Sequence, residues 1–186
     1  MHRRSLIRLF TAALVLSLAG CGGDARHDGA AAGAAGGAEA ASKGDGPAWA
    51  TWDAGLARAR EQKRFVVVDV YTDWCGWCKR MDADVFARAD ISGYLDSKFV
   101  SIKLDAESDA TMTHLGKSYT ARDLALAFGV SGYPTLLFLT PEGELMTSVP
   151  GYVPHEKFLL ILRYLGDGHL DRGVKFEDYE AQAGRS

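Results

Sequence analysis

The sequence predicts an α/β domain, a mixed central sheet with helices on both faces. Three apolar runs of strand length carry that expectation: Phe65–Tyr71, Phe99–Leu104 and Thr135–Leu139. They are rich in β-branched and aromatic residues, and the segments between them have helical spacing instead. The third run ends in a turn that doubles the chain back, which adds an antiparallel strand to the sheet.

Taken in order, Asp53 is placed to cap a helix reaching about Lys63, with Leu56 inward and Arg58, Arg60 and Lys63 outward. Phe65-Val66-Val67-Val68-Asp69-Val70-Tyr71 reads as a strand buried on both faces, and its acidic residue is unexpected there. From Cys78 to about Ala89, the spacing of Met81, Val85 and Phe86 suits an amphipathic helix. Phe99–Leu104 is the second strand, and Thr120 caps a helix running through Phe128. Gly132-Tyr133-Pro134 leads into the third strand, and Pro141-Glu142-Gly143 turns it back so that Glu144–Val149 pairs antiparallel. A last helix, about Pro154 to Leu165, turns Phe158, Leu159, Leu162 and Leu165 inward. The predicted order is helix, strand, helix, strand, helix, strand, strand, helix.

A chain of 186 residues, 47% of them hydrophobic, can build one domain with a real core. The formal charge is −3, and losing Arg3, Arg4 and Arg8 with the N-terminal segment would take it to −6. A mildly acidic domain of this kind gives no electrostatic basis for binding nucleic acid. With three cysteines there is no disulfide framework, and the core must hold the fold.

The N-terminus reads as an address. A basic start is followed by an apolar run, Leu9 to Ala19, which is short for a permanent membrane span and has the layout of a secretory signal. Leu18-Ala19-Gly20-Cys21 resembles the lipobox of bacterial lipoproteins, which implies cleavage before Cys21, its lipidation and a membrane anchor. Arg3-Arg4 ahead of Ser5 also resembles a twin-arginine signal; a plain cleaved signal is the simpler alternative. Residues 22–47 are rich in Gly and Ala without apolar periodicity and are expected to be a flexible tether. The domains are thus expected at 1–21, 22–47 and 48–186. Either export route delivers the cysteines outside the cytosol, a setting in which a pair is oxidised unless a dedicated reductant keeps it reduced.

Cys75 and Cys78 fall where a buried strand hands over to a helix, and a helix N-terminus favours thiolate over thiol. Cys75 is expected at an exposed tip as the nucleophile, and Cys78 one turn down as the resolving thiol. Zinc would need two more soft ligands, whereas His114, His155 and His169 lie singly in different segments. A staple closing so short a loop removes little chain entropy. A redox pair is the reading the neighbours favour, with no metal and no cofactor.

Val68-Asp69-Val70-Tyr71-Thr72-Asp73-Trp74-Cys75-Gly76-Trp77-Cys78-Lys79 resembles the active-site segment of thioredoxins. Gly132-Tyr133-Pro134-Thr135 is similar to their cis-proline loop, and Glu142-Gly143 with Gly151 to their closing hairpin. The resemblance spans about residues 48–166 and implies a thioredoxin fold with Pro134 in cis facing the cysteines. It implies a substrate groove of Trp74, Gly76, Trp77, Tyr133, Pro134 and Thr135. It also implies a buried Asp69 that takes a proton from Cys78, a role that burial suits because it raises a carboxyl's pKa. The lysine that often accompanies that aspartate has Ser101 in its place here, with Lys103 two residues on. Trp77 replaces the family's usual proline between the cysteines, so the family's reducing strength does not carry over. Residues 106–121, with Met112, His114 and Tyr119, form an insertion, and a tail follows Gly166. Both resemble features of exported thioredoxin-like proteins of sulfur oxidation and cytochrome maturation.

The function expected is a tethered, extracytoplasmic thiol–disulfide oxidoreductase, a reductase of exported proteins' disulfides that a membrane thiol–disulfide donor recharges. The alternatives are an oxidase or isomerase, and a non-catalytic binding or chaperone module.

Overall fold

The computed structural model describes residues 46–184. The expected signal with Cys21, and all but the end of the expected tether, lie outside the described residues. Among the described residues the strands are β1 (Trp49–Ala50), β2 (Phe65–Tyr71), β3 (Phe99–Asp105), β4 (Thr111–His114), β5 (Lys117–Thr120), β6 (Thr135–Leu139) and β7 (Leu145–Pro150). The helices are α1 (Trp52–Gln62), α2 (Gly76–Met81), α3 (Ala89–Lys98), α4 (Ala121–Ala127), α5 (His155–Gly166) and α6 (Phe176–Ala183).

Five strands form one mixed sheet in the order β1-β3-β2-β6-β7, with β1, β3 and β2 parallel and β6 and β7 antiparallel. Central β2 explains its own composition. Val66, Val68 and Val70 join the core under α1 and α4, while Val67 joins the core under α3 and α5. All of them are buried, each apolar side chain stabilising the fold by roughly 1.5–3 kcal/mol. On the outer edge, β7 carries one extra residue: Phe138 pairs with Thr147 but Leu139 with Leu145. Its inward contacts, Met146 and Val149, are therefore three residues apart rather than two.

The structure corrects several expectations. Thr51 rather than Asp53 is the N-cap of α1, and Asp53 Oδ1 instead accepts from the Thr113 N–H at 2.9 Å. That bond and the Trp52 Nε1–H donated to Thr113 O fasten the β4–β5 hairpin, into which residues 106–121 fold, to α1. The helix expected from Cys78 to Ala89 begins at Gly76 and loosens into a π-turn over Asp82–Phe86, where Ala87 N–H reaches back five residues to Asp82 O. A separate α3 follows. Its only fully buried side chains are Ile91 and Leu95, too sparse a pattern to stand out in the sequence. Arg64 donates to the carbonyls of Leu95, Asp96 and Phe99 and so closes the end of α3. In the tail, α6 buries no residue fully and is held by Phe176 against Tyr164 and by a Lys157–Glu180 ion pair. The caps at Thr120, whose Oγ1 accepts from Asp123 N–H, and the turn at Glu142-Gly143 are as expected. Among the described residues no helix is long and apolar enough to cross a membrane.

Candidate active site

β2 ends at Tyr71, and four residues later Cys75 opens α2 as its N-cap. The cysteines are joined in a disulfide, with their Cα atoms 5.3 Å apart. Cys75 Sγ accepts from the Cys78 N–H at 3.0 Å, so a main-chain donor that the helix cannot itself satisfy points at the sulfur. The same donor stabilises a thiolate on Cys75 once the disulfide is open. Cys75 is not at an exposed tip: it is 4% exposed, and Cys78 2%.

Asp69, in the middle of β2, is fully buried, and neither of its oxygens accepts a hydrogen bond. Its register partner on β3 is Lys103, whose Nζ stands 3.2 Å from Asp69 Oδ2 in an ion pair. The lysine partner is thus Lys103, while Ser101 lies opposite Val67. The same ammonium donates to Asp82 Oδ1 at 2.5 Å and lies within 6 Å of the Trp49, Tyr71 and Phe86 ring centres. Burial pushes the Asp69 carboxyl up to about 6; the Lys103 charge opposes this and the Asp82 charge adds to it. For Lys103 burial acts downward, but its two carboxylates outweigh it and the net shift is upward. A cavity of about 470 Å³ lined by Trp49, Lys79, Asp82 and Lys103 among others opens on this cluster, and the Lys103 side chain is 22% exposed. The protons of a buried acid therefore have a charged neighbour that touches solvent.

The rim is aromatic. Trp74 is 66% exposed and Trp77 55%, so neither is a core residue. Trp74 meets Tyr133 edge-on at 6.0 Å between ring centres, and Trp77 meets Tyr152 at 5.5 Å. The Tyr133–Pro134 bond is cis. Thr135 pairs with Val70 at the end of β2, and its hydroxyl donates to Gly132 O at 2.7 Å, which braces the proline loop beside the cysteine segment. Gly151 N–H donates to Pro134 O at 2.8 Å from a backbone with φ 84°, a conformation that favours glycine.

Cys75, Cys78, Trp74, Gly76, Trp77, Tyr133, Pro134 and Thr135 therefore meet at one end of the sheet, and Asp69 lies within the strand that leads there. His114 does not join them. It packs among Trp52, Tyr119 and Phe128, and its ring comes beside Gly143 in the β6–β7 turn, the opposite end of the sheet. Sequence reasoning missed Asp82 and Tyr152. The signal for Asp82 was its place four residues after Cys78, one helical turn along the same face. Tyr152 had none beyond its place next to Gly151.

A disulfide across the first turn of a helix, with a cis-proline loop beside it and a buried carboxyl in the preceding strand, is the arrangement that a two-cysteine redox centre requires. The domain is of the thiol–disulfide oxidoreductase class. Residues 52–166, more than half of the chain, match the family described as Thioredoxin-like domain, and the chain belongs to that family. It is 33% identical over 92 residues to thiol:disulfide interchange protein DsbD 2 of Pseudomonas aeruginosa, covering 50% of this chain and 14% of that protein. It is 35% identical over 79 residues to protein disulfide-isomerase of Zea mays, covering 42% and 13% respectively. The chain thus spans a small fraction of the length of these curated relatives. Among solved structures, a thioredoxin from Thermus thermophilus superposes with a TM-score of 0.51 at 27% identity, covering 65% of this chain and 93% of that one.

Proposed function

We propose that the chain is an exported thiol–disulfide oxidoreductase, anchored to a membrane through lipidated Cys21, that reduces disulfides in other exported proteins. The observation that carries the reading is the Cys75–Cys78 disulfide at the N-terminus of α2, with the Cys78 N–H directed at Cys75 Sγ. In the reduced protein, the Cys75 thiolate attacks one sulfur of a partner disulfide, and the other partner sulfur leaves as thiolate. Cys78 passes its proton to the Asp69 carboxylate, directly or through water, and attacks Cys75 Sγ. The partner sulfur bonded to Cys75 leaves as the second thiolate, the Cys75–Cys78 disulfide re-forms, and two electrons have moved to the partner. Lys103 and Asp82 return the Asp69 proton to solvent. A membrane-bound dithiol of the interchange type then reduces the pair for the next round. The groove that holds the partner is formed by Trp74, Gly76, Trp77, Tyr133, Pro134 and Thr135. The likeness to a thiol:disulfide interchange protein supports exchange chemistry, and the likeness to a disulfide-isomerase supports polypeptide partners.

Equilibration with glutathione tests the direction. A Cys75–Cys78 potential near −270 mV, roughly that of thioredoxin, supports a reductase; one near −120 mV, about that of a strong oxidant, makes the protein a disulfide donor. A Cys78→Ser variant is expected to trap mixed disulfides through Cys75 in its host. If the double variant Cys75→Ser/Cys78→Ser keeps full cellular function, the protein is a binding module instead.

A further inference from the structure

A second cavity, of about 460 Å³, lies along the outer edge of the sheet, and none of the residues lining it belongs to the redox centre. Three parts of the chain build its walls. Met146 and Val149 come from β7, Ile161 and Leu165 from α5, and Leu170 and Phe176 from the tail that follows α5. The tail is pinned in two places: the Tyr164 hydroxyl donates to Val174 O at 2.5 Å, and Glu180 pairs with Lys157. The apolar walls beside those pins are not closed over. Leu170 is exposed, and Met146, Val149 and Phe176 are only half-buried. Water against such walls finds few hydrogen-bond partners, and an apolar molecule that displaces it is stabilised by burial.

The charge at the cavity is of one sign. Among the described residues lining it, Lys157 alone is charged. Its Nζ lies 4.6 Å from the Phe176 ring centre, at the cavity wall, and the side chain is 40% exposed. An ammonium has three hydrogens to donate, and Glu180 Oε1 takes one of them. That pair is itself an example of a carboxylate seated on this ammonium, and two hydrogens are left for another. Tyr164, in contrast, commits its hydroxyl hydrogen to Val174 O. Apolar walls with one cation at their edge select a molecule that is apolar along its length and anionic at one end. A cationic amphiphile would meet like charge there, and a small hydrophilic anion would gain nothing from the walls.

We propose that this cavity binds a single-chain carboxylic acid, its hydrocarbon chain held between β7, α5 and the tail and its carboxylate on the Lys157 ammonium. The volume takes a chain of about ten carbons with its head group, at roughly 30 Å³ for each heavy atom, about the share of a water molecule in the liquid. The inference is independent of the redox reading and uses neither cysteine.

The test is calorimetric titration of the full-length protein with decanoate, decanol and decylammonium, each below the concentration at which it aggregates. One decanoate is expected per chain, bound at least about tenfold more tightly than decylammonium. Lys157→Met keeps the apolar stem and removes the charge. It is expected to weaken decanoate about tenfold, the reach of one charge-assisted hydrogen bond, and to leave decanol within about threefold. Leu170→Trp, at an exposed position outside the core, is expected to fill the cavity and weaken decanoate and decanol alike, by about tenfold or more. Failure of decanoate to bind, equal binding of decylammonium, or decanoate binding unchanged by either substitution overturns the inference. So does a dimer in sedimentation that Leu170→Trp abolishes, which assigns the cavity to a second copy of the chain. Each of these outcomes leaves the exchange reading standing, because that reading is tested at Cys75 and Cys78.

Discussion

Asp69 and His114 are both buried titratable side chains with polar atoms that lack a hydrogen-bond partner, yet their surroundings differ in kind. Asp69 shares one ammonium with Asp82 and lies in the strand leading to the disulfide. His114 is enclosed by rings in the hairpin at the other end of the sheet. Burial raises the Asp69 carboxyl to about 6, into the range where a protein can use it, and lowers His114, with Arg60 adding to the effect, so that its imidazole stays neutral. A buried group beside a counter-charge is an acid that can exchange its proton. A neutral one among aromatics is packing. The signs of their stability effects follow. The folded state holds the Asp69 proton that the unfolded chain releases, so its contribution is full below about pH 4 and is lost as pH rises through 6. His114 is the reverse: its contribution is full above its ordinary value of 6.5 and is lost as pH falls.

The contrast can be broken at either end. The largest effect is expected from Cys75→Ser, which removes disulfide reduction in an insulin-type turbidity assay by a factor of at least about 1,000. Asp69→Asn is expected to slow closure of the Cys75–Cys78 disulfide near pH 7 by about 100-fold and to abolish an inflection near pH 6 in its pH–rate profile. The same variant is expected to be more stable to urea at pH 8, by on the order of 3 kcal/mol from the linkage, with the gain vanishing below about pH 4. A flat stability difference across that range would separate Asp69 from the titration. Subtler are the two neighbours, which pull in opposite directions. Lys103→Met is expected to move the Asp69 inflection above 6 and Asp82→Asn to move it below, read by carboxyl NMR. Smallest is His114→Phe: a stability change under about 1 kcal/mol at pH 7, loss of one acid-side contribution to unfolding, and an unchanged exchange profile.

That contrast was half legible in the sequence. An aspartate inside Phe65–Tyr71 stands out because it breaks an apolar run, and the cysteine spacing and Pro134 locate the redox end. Lys103 did not stand out, because which residue of β3 faces Asp69 is set by the register of two parallel strands far apart in the chain. Asp82 was read as part of a regular helix, and the π-turn that starts with it leaves no trace in apolar spacing. The hairpin of residues 111–120 is held by Asp53 and Trp52, contacts across about sixty residues, so its strands have no local signature. Asp53 itself looked like a cap because caps and long-range acceptors use the same residue types.

The outer strand of the sheet has a consequence for how this protein tolerates crowding. β7 presents an unpaired edge, the kind of surface on which copies of a chain add to one another. The extra residue at Met146 puts the edge out of regular step, and Pro150 ends it with a position that cannot donate. A second copy laid along β7 would find its ladder interrupted near one end and short of a donor at the other. Both features work against extending the sheet past β7 by edge-to-edge addition of another copy.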